Sequence, residues 1–541
     1  MAVTMALIPA LERWAGPLHV LDAPNVRKVH DSPMPRVGGI AIAAGTSIAL
    51  VLWSPRFDTQ MLAWLAGAAI VFGFGVWDDR TSLSVGLKLV GQLSAIACVI
   101  AFGDVSVDTL TLTERHMVSP WVGVPLTVVF ILGSTNAINL ADGLDGLAGG
   151  TTLLSIGALG FLALTYSVSV VAGTAFAVAG GILGFLRFNT YPARIFMGDG
   201  GSQLLGYAVA TMALKLTQNP TVPLSTALPL MLLGLPAVDT LMVMVQRWRD
   251  GTSIVTADRR HVHHRLLGLG FDHHEAVLVV YGVQAVFFVT AWWMRYEPDP
   301  KIALVFALLA VTIVGSLGAA RRMGWRWRHV PITLEATAAP ASPLRRGLSW
   351  LTARHRRPRW AIAATGVALL TYVVAVALLA TRPSVDLGWL AVVLGAMLLA
   401  ALVSRGVAHR RDWVIRLVLY VSATAAVYLD YESSAVSLVL RWIKWLFLPL
   451  LIASVATRIR LSTERRFTVT TLDVLIMFAA AVVPQLPGLA RGSGDLGLSL
   501  LKLVALLYAV ELLADQSPRA QRRVCVGICV FCAIVGFRAF V

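Results

Sequence analysis

The feature that most constrains this chain is the recurrence, from one end to the other, of apolar runs long enough to cross a hydrocarbon core as helices. The strands of a membrane barrel would be shorter and would alternate apolar with polar residues. A content of 57% hydrophobic and only 14% charged residues over 541 positions, with a mean hydropathy of +0.75, is too apolar for a soluble domain. The fold class is therefore all-α, a polytopic integral membrane helix bundle. About ten or eleven spans fall in the first part of the chain and about six or seven beyond it. The net charge of +16 and the pI near 10.3 come from Lys and Arg in short loops between spans, so the charge sets topology and does not imply nucleic acid. Cys98, Cys525, Cys529 and Cys532 all lie in apolar segments and read as packing residues.

Taken in order, residues 1–11 are apolar but too short to span, as if a first helix were truncated. The loop from Val20 to Gly39 carries Arg27, Lys28, His30 and Arg36 and is placed in the cytoplasm. Spans are then expected at about 40–53, 62–77, 84–102, 121–140, 147–164, 170–188, 202–215, 228–245, 277–293 and 302–319. This alternation returns several polar stretches to one membrane face: Asp78 and Asp79, the run NAINLADGLDGLAGG (136–150), FNTYPARIFMGDGGS (188–202) and the loop 247–270. Residues 321–360 form a basic linker suited to anionic headgroups. The expected organisation is a membrane transferase domain over 1–320, this linker over 321–360, and a C-terminal transmembrane domain of unassigned role over 361–541.

Carboxylates at the mouths of apolar helices need partners. Any one aspartate could cap a helix or pair with Arg. Asp78, Asp79, Asp142, Asp145 and Asp199, from three different loops, would repel one another in a single cleft unless a cation joined them. Hard oxygen ligands of this kind suit Mg²⁺, with Mn²⁺ as the alternative, together with substrate phosphates. His261, His263 and His264 lie among arginines, which disfavours zinc and suits an anionic ligand, solvated loop residues being the bland alternative. Lys88, ten residues past Asp78, either reaches a phosphate or snorkels.

The motifs NAINLADGLDGLAGG, WDDR, NTYPARIFMGDGGS, PAVDT and DRRHVHHRLL, with DAPNVRKVH and PRVGG upstream, resemble the polyprenyl-phosphate N-acetylhexosamine-1-phosphate transferases over about residues 21–320. The HxHH and RKxH forms resemble the N-acetylglucosamine branch, and the phospho-N-acetylmuramoyl-pentapeptide branch is the runner-up. The resemblance implies attack of undecaprenyl phosphate on the sugar-bearing phosphorus of a UDP-N-acetylhexosamine, with release of UMP. It further implies an inner-membrane enzyme of bacteria with a cytoplasmic active site, priming cell-envelope polysaccharide, with homodimerisation left open. By the same resemblance Asp199 holds the metal, assisted by Asp78 or Asp79. Asp79 is also a candidate base or nucleophile, although a lipid phosphate with a second pKa near 6 needs little help. Asn189, Phe196 and Asp145 would hold the nucleoside, Asp142 and Asn139 the diphosphate, and Lys88 the lipid phosphate. His261, His263, His264 and Arg265 would bind sugar or diphosphate, and the basic loop with Arg27, Lys28 and His30 could receive phosphate. Asp239, deeper in its helix, is expected to pair structurally. A secondary transporter is the competing class; it predicts polar groups at the bilayer midplane and inverted repeats. A non-catalytic lipid-phosphate scaffold is the third.

Overall fold

The computed structural model describes residues 1–17, 20–22, 33–53, 57–251, 260–327, 359–403, 408–433 and 518–541, with scattered residues between 499 and 513. The chain divides into two compact units, Val3–Val330 and Pro331–Val541. Among the described residues nine helices are long and apolar enough to cross a membrane, so the chain is a multi-pass membrane protein of the expected all-α class.

In the first unit the helices are α1 (Ala2–Trp14), α2 (Gly38–Trp53), α3 (Thr59–Thr81), α4 (Val85–Gly103), α5 (Pro120–Ala141), α6 (Leu147–Thr165), α7 (Ser169–Asn189), α8 (Gly198–Thr217), α9 (Leu228–Leu233), α10 (Leu235–Arg249), α11 (Val262–Gly268), α12 (His273–Met294) and α13 (Asp299–Arg322). Two short antiparallel hairpins pair β1 (Leu21–Asp22) with β2 (Met34–Pro35), and β3 (Thr109–Thr111) with β4 (Arg115–Met117). Helix α8 is buried along almost its whole length and packs against α2, α3, α5 and α6. A helix enclosed on all sides meets only protein, and this one is the post on which the polar loops are hung. The apolar segment 1–11 forms part of α1, whose Thr4 sits against α2 and α7.

The expected single span at 228–245 is two helices. The chain breaks at Gly234, φ +57°, and restarts with Pro236 in the first turn of α10. A break inside a membrane protein needs its freed backbone groups satisfied from within. Buried Gln284 of α12 does this: its Oε1 accepts from the Leu235 N–H at 2.9 Å and its Nε2 donates to the Leu232 carbonyl at 3.2 Å.

In the second unit, α14 (Arg359–Leu379), α15 (Val385–Val403), α16 (Ala408–Ser433) and α17 (Pro518–Phe540) pack on one another. Cys525 and Cys532 are buried and Cys529 half-buried, all unpaired, as packing cysteines would be. One buried polar feature among the described residues here is Asp430, whose Oδ2 is paired with Lys502 and accepts from the Tyr372 hydroxyl at 3.1 Å. The region around Arg441 and Lys444, and linker residues 328–358, lie outside the described residues.

Candidate active site

The ends of α3 and α5 and the start of α8 carry the carboxylates. Asp78 and Asp79 occupy the last turn of α3, Asp142 caps α5, and Asp199 lies in the first turn of α8. Lys88, in the first turn of α4, is paired with Asp78 and lies 3.7 Å from Asp199 Oδ2. Asp78 Oδ1 also accepts from the Leu83 N–H at 2.7 Å, which fixes the α3–α4 turn and aims the ammonium at the α8 start. Asn139 donates to Asp199 Oδ1 at 3.2 Å and to Ser202 Oγ at 2.8 Å. One turn earlier on α5, Asn136 donates to Gln92 at 3.1 Å, and Gln92 donates to Gln203 at 3.0 Å, locking α4, α5 and α8 together by side-chain amides.

Asp79 has a different position from the one expected of a metal ligand. Its two oxygens accept from the backbone N–H groups of Asp199 at 3.0 Å and Gly200 at 3.1 Å, and Arg36 approaches at 3.5 Å. A carboxylate at a helix N-terminus satisfies donors that the helix leaves open and favours the dipole. Gly198 is required for this: its φ is +75°, and a Cβ there would lie 2.5 Å from Asp79 Oδ2. Asp79 is thereby the cap that sets the direction of α8, and the metal role expected of it does not suit a carboxylate so occupied.

Asp142 is the reverse case. Its carboxylate accepts no hydrogen bond from any described residue, and its pKa is pushed up to about 7, first by burial and then by the negative charges of Asp199, Asp79 and Asp145, against the pull of Arg36. Crowded carboxylates of this kind favour either a proton or a cation.

Asp145 Oδ2 accepts from the Ala193 N–H at 2.9 Å, joining the 142–146 turn to the 190–196 loop. Asn189 makes the same junction from beneath. It is 3% exposed, its Oδ1 accepts from the Gly146 N–H at 3.0 Å and its Nδ2 donates to the Ile195 carbonyl at 2.9 Å. Both ends of that amide are engaged by backbone, which gives Asn189 a structural role at this junction. Phe196 is half-buried, and its own backbone bonds Gly38 and Pro35.

The short helix α11 brings its histidines to the aspartate turn. His261 Nδ1 lies 2.9 Å from Asp239 Oδ2, whose other oxygen accepts from the Val262 N–H at 2.8 Å. Asp239 is thus the structural partner expected of it. His263 is 3% exposed, and its Nε2 would lie 2.3 Å from a Cβ on Gly143; only a glycine beside Asp142 lets the ring approach so closely. Burial first, then the neighbouring His264, holds its pKa down to about 3, so it is a neutral imidazole. His264 adjoins it with ring centroids 4.3 Å apart. Arg265 turns away, donating to the Arg260 carbonyl and to Gln246 Oε1, both at 2.7 Å. Arg27, Lys28 and His30 lie outside the described residues.

Several residues beside this cleft were not picked out from sequence. Tyr191 stacks on His273 at 4.4 Å and meets His274 edge-on at 4.8 Å, with His273 in reach of the Asp145 backbone. The signal available was a second histidine pair, at the first turn of α12 just after HVHHRLLGLG.

Among the described residues no three His, Cys, Asp or Glu side chains form a ready-made metal cage. Mg²⁺ keeps waters and takes one or two carboxylates plus substrate phosphates. Asp199 and Asp142 are the cleft carboxylates of which neither oxygen accepts from a described backbone donor, whereas Asp78, Asp79 and Asp145 each take at least one.

Residues 61–217 match the model of glycosyl transferase family 4. The chain is 36% identical over 290 residues to a Bacillus subtilis protein described as "probable undecaprenyl-phosphate N-acetylglucosaminyl 1-phosphate transferase", spanning 53% of this chain and 80% of that one. It is 30% identical to the undecaprenyl-phosphate alpha-N-acetylglucosaminyl 1-phosphate transferase of Escherichia coli O157:H7, across 55% of this chain and 83% of the relative. To the decaprenyl-phosphate N-acetylglucosaminephosphotransferase of Mycolicibacterium smegmatis it is 33% identical, across 54% and 80%. Identity of 30–36% across about four-fifths of these relatives, with the match to the family model, places the chain in the polyprenyl-phosphate N-acetylhexosamine-1-phosphate transferase family, glycosyl transferase family 4.

Proposed function

We propose that the first unit transfers N-acetylglucosamine-1-phosphate from UDP-N-acetylglucosamine to undecaprenyl phosphate at the cytoplasmic face of the bacterial inner membrane, releasing UMP and priming a cell-envelope polysaccharide. The observation that carries this reading is the meeting of Asp142, Asp199, Lys88 and Asn139 at three helix ends beneath the histidines of α11. Replacing one diphosphate linkage with another needs positioning and charge neutralisation more than covalent chemistry.

The roles follow from the partners. Lys88, held between Asp78 and Asp199, exchanges a carboxylate for the phosphate of the lipid acceptor at the headgroup plane. Asn139 fixes the Asp199 rotamer. His261, with Nδ1 held by Asp239, presents Nε2 to the sugar or diphosphate, and neutral His263 keeps the cleft beside Asp142 free of a competing cation. Asp145, braced by Ala193, and Phe196 border the nucleoside pocket. Asp199 and Asp142 would hold Mg²⁺, which would supply positive charge to neutralise the diphosphate. The acceptor, already largely dianionic at neutral pH, attacks without a dedicated base.

The test is UMP release from UDP-N-acetylglucosamine and undecaprenyl phosphate by the full-length protein in detergent with Mg²⁺, beside UDP-N-acetylmuramoyl-pentapeptide. Turnover of the first donor alone is expected; turnover of the second alone would assign the other branch. Activity persisting in EDTA would sink the metal proposal.

A further inference from the structure

A cavity of about 460 Å³ lies between α11 and the C-terminal part of α13, lined by Arg265 of α11, by Val314, Gly315, Gly318, Ala319 and Arg322 of α13, and by Met323 just after it. Helix α13 is the most lipid-exposed candidate span of the first unit, with only 11% of its apolar window buried, and Leu304, Leu308 and Val311 are all more than half exposed. Just past its end, Trp325 and Trp327 gather around Phe271, the Phe271 and Trp327 rings stacked at 5.4 Å, and the Trp327 N–H donates to the Leu269 carbonyl at 2.8 Å. Aromatic side chains of this kind mark the headgroup level. Two arginines and three small residues thus line the cavity, and the aromatic group follows directly on α13. Arg322 has no carboxylate partner among the described residues.

We infer that this cavity binds the phosphate headgroup of an anionic phospholipid, its acyl chains lying along α13. Basic pockets between membrane helices on the basic-loop side take such headgroups, and guanidinium forks suit phosphate oxygens. The consequence reaches the active site through α11. His263 and Arg265 are two residues apart and therefore project from nearly opposite sides of that helix. His263 packs on Gly143 beside Asp142, while Arg265 faces the cavity. A lipid phosphate on Arg265 braces the histidine helix against the aspartate turn.

The test measures lipid retention first and so stands independently of the proposed transferase activity. Full-length, delipidated protein is offered phosphatidylglycerol or phosphatidylcholine and the bound lipid counted by native mass spectrometry. Phosphatidylglycerol should be retained preferentially, and Arg322→Gln should weaken that preference about fivefold, the effect of one Arg at an anionic surface. Gly318→Leu, whose side chain would fill the cavity, should abolish it. In vesicles, adding phosphatidylglycerol to phosphatidylcholine should raise UMP release by wild type and not by Gly318→Leu, with equal rates in phosphatidylcholine alone. Equal retention of the two lipids, retention unaffected by both substitutions, or displacement of phosphatidylglycerol by equimolar undecaprenyl phosphate would overturn the inference; the last would make this the acceptor's own site.

Discussion

Each unit contains a lysine–aspartate pair, and the two pairs differ in one decisive respect. In the first unit Lys88, 36% exposed, is paired with the buried Asp78 and lies 3.7 Å from Asp199, itself 35% exposed, whereas in the second Lys502 and Asp430 are 2% and 1% exposed. The open pair sits among further carboxylates and an Asn that can accept or donate elsewhere, so a ligand phosphate can replace one partner at small cost. In the closed pair Tyr372 donates its hydroxyl to the same Asp430 oxygen, and Asp430 Oδ1 has no partner among the described residues. Two charges removed from solvent hold each other because water cannot replace either one. The same residue types therefore serve as an exchangeable contact in one place and as a latch in the other.

The largest expected contrast is catalytic. Asp199→Asn should lower UMP release by about 10³-fold, the scale of losing a preorganised electrostatic group, while shifting the melting temperature little because the side chain is already partly hydrated. Lys502→Met should do the converse. Left alone in an apolar interior, Asp430 should cost about 3–5 kcal/mol of stability, read as lowered thermal stability in detergent. The double variant Lys502→Met, Asp430→Leu should recover most of that loss; if it does not, the pair is more than a latch. A smaller effect is expected at the support of His261. Asp239→Asn keeps the shape but loses the charge that fixes the imidazole, and should reduce kcat about tenfold or more with little change in KM, as second partners of functional histidines do.

Spans were legible because hydropathy and length determine them almost alone: α3 to α7, α12 and α13 fall where the apolar runs put them. The break at Gly234 was not, since it depends on Gln284, which is 50 residues away in the chain and supplies the missing hydrogen bonds. The site was partly legible. Carboxylates at helix ends announce a polar cleft, and those at the ends of α3 and α5 do lie beside the start of α8. What spacing cannot show is which atoms are already occupied. Asp79 and Asn189 have the residue types of ligand contacts, yet their oxygens and amide are taken by backbone groups of α8, Gly146 and Ile195. Tyr191, His273 and His274 escaped notice because their proximity arises only when the 190–196 loop folds over the start of α12.

The smallest expected effect tests the open character of the first site through pH. Asp142 has its pKa raised to about 7 by burial and by its acidic neighbours, against about 3.9 in an unfolded chain. The folded state then holds a proton that the unfolded chain has released, so this residue's contribution to stability falls as pH rises from about 4 to 7 and is constant beyond. Asp142→Asn removes the titration. Its melting temperature should match wild type near pH 4, exceed it increasingly toward pH 7, and keep that margin at pH 8. Mg²⁺ should shrink the margin at pH 8, because a cation between Asp142 and Asp199 stabilises the wild-type carboxylates and has one fewer in the variant. A margin that is independent of pH would mean that Asp142 is held by contacts and not by charge, and the distinction between an exchangeable cluster and a latch would no longer separate the two units.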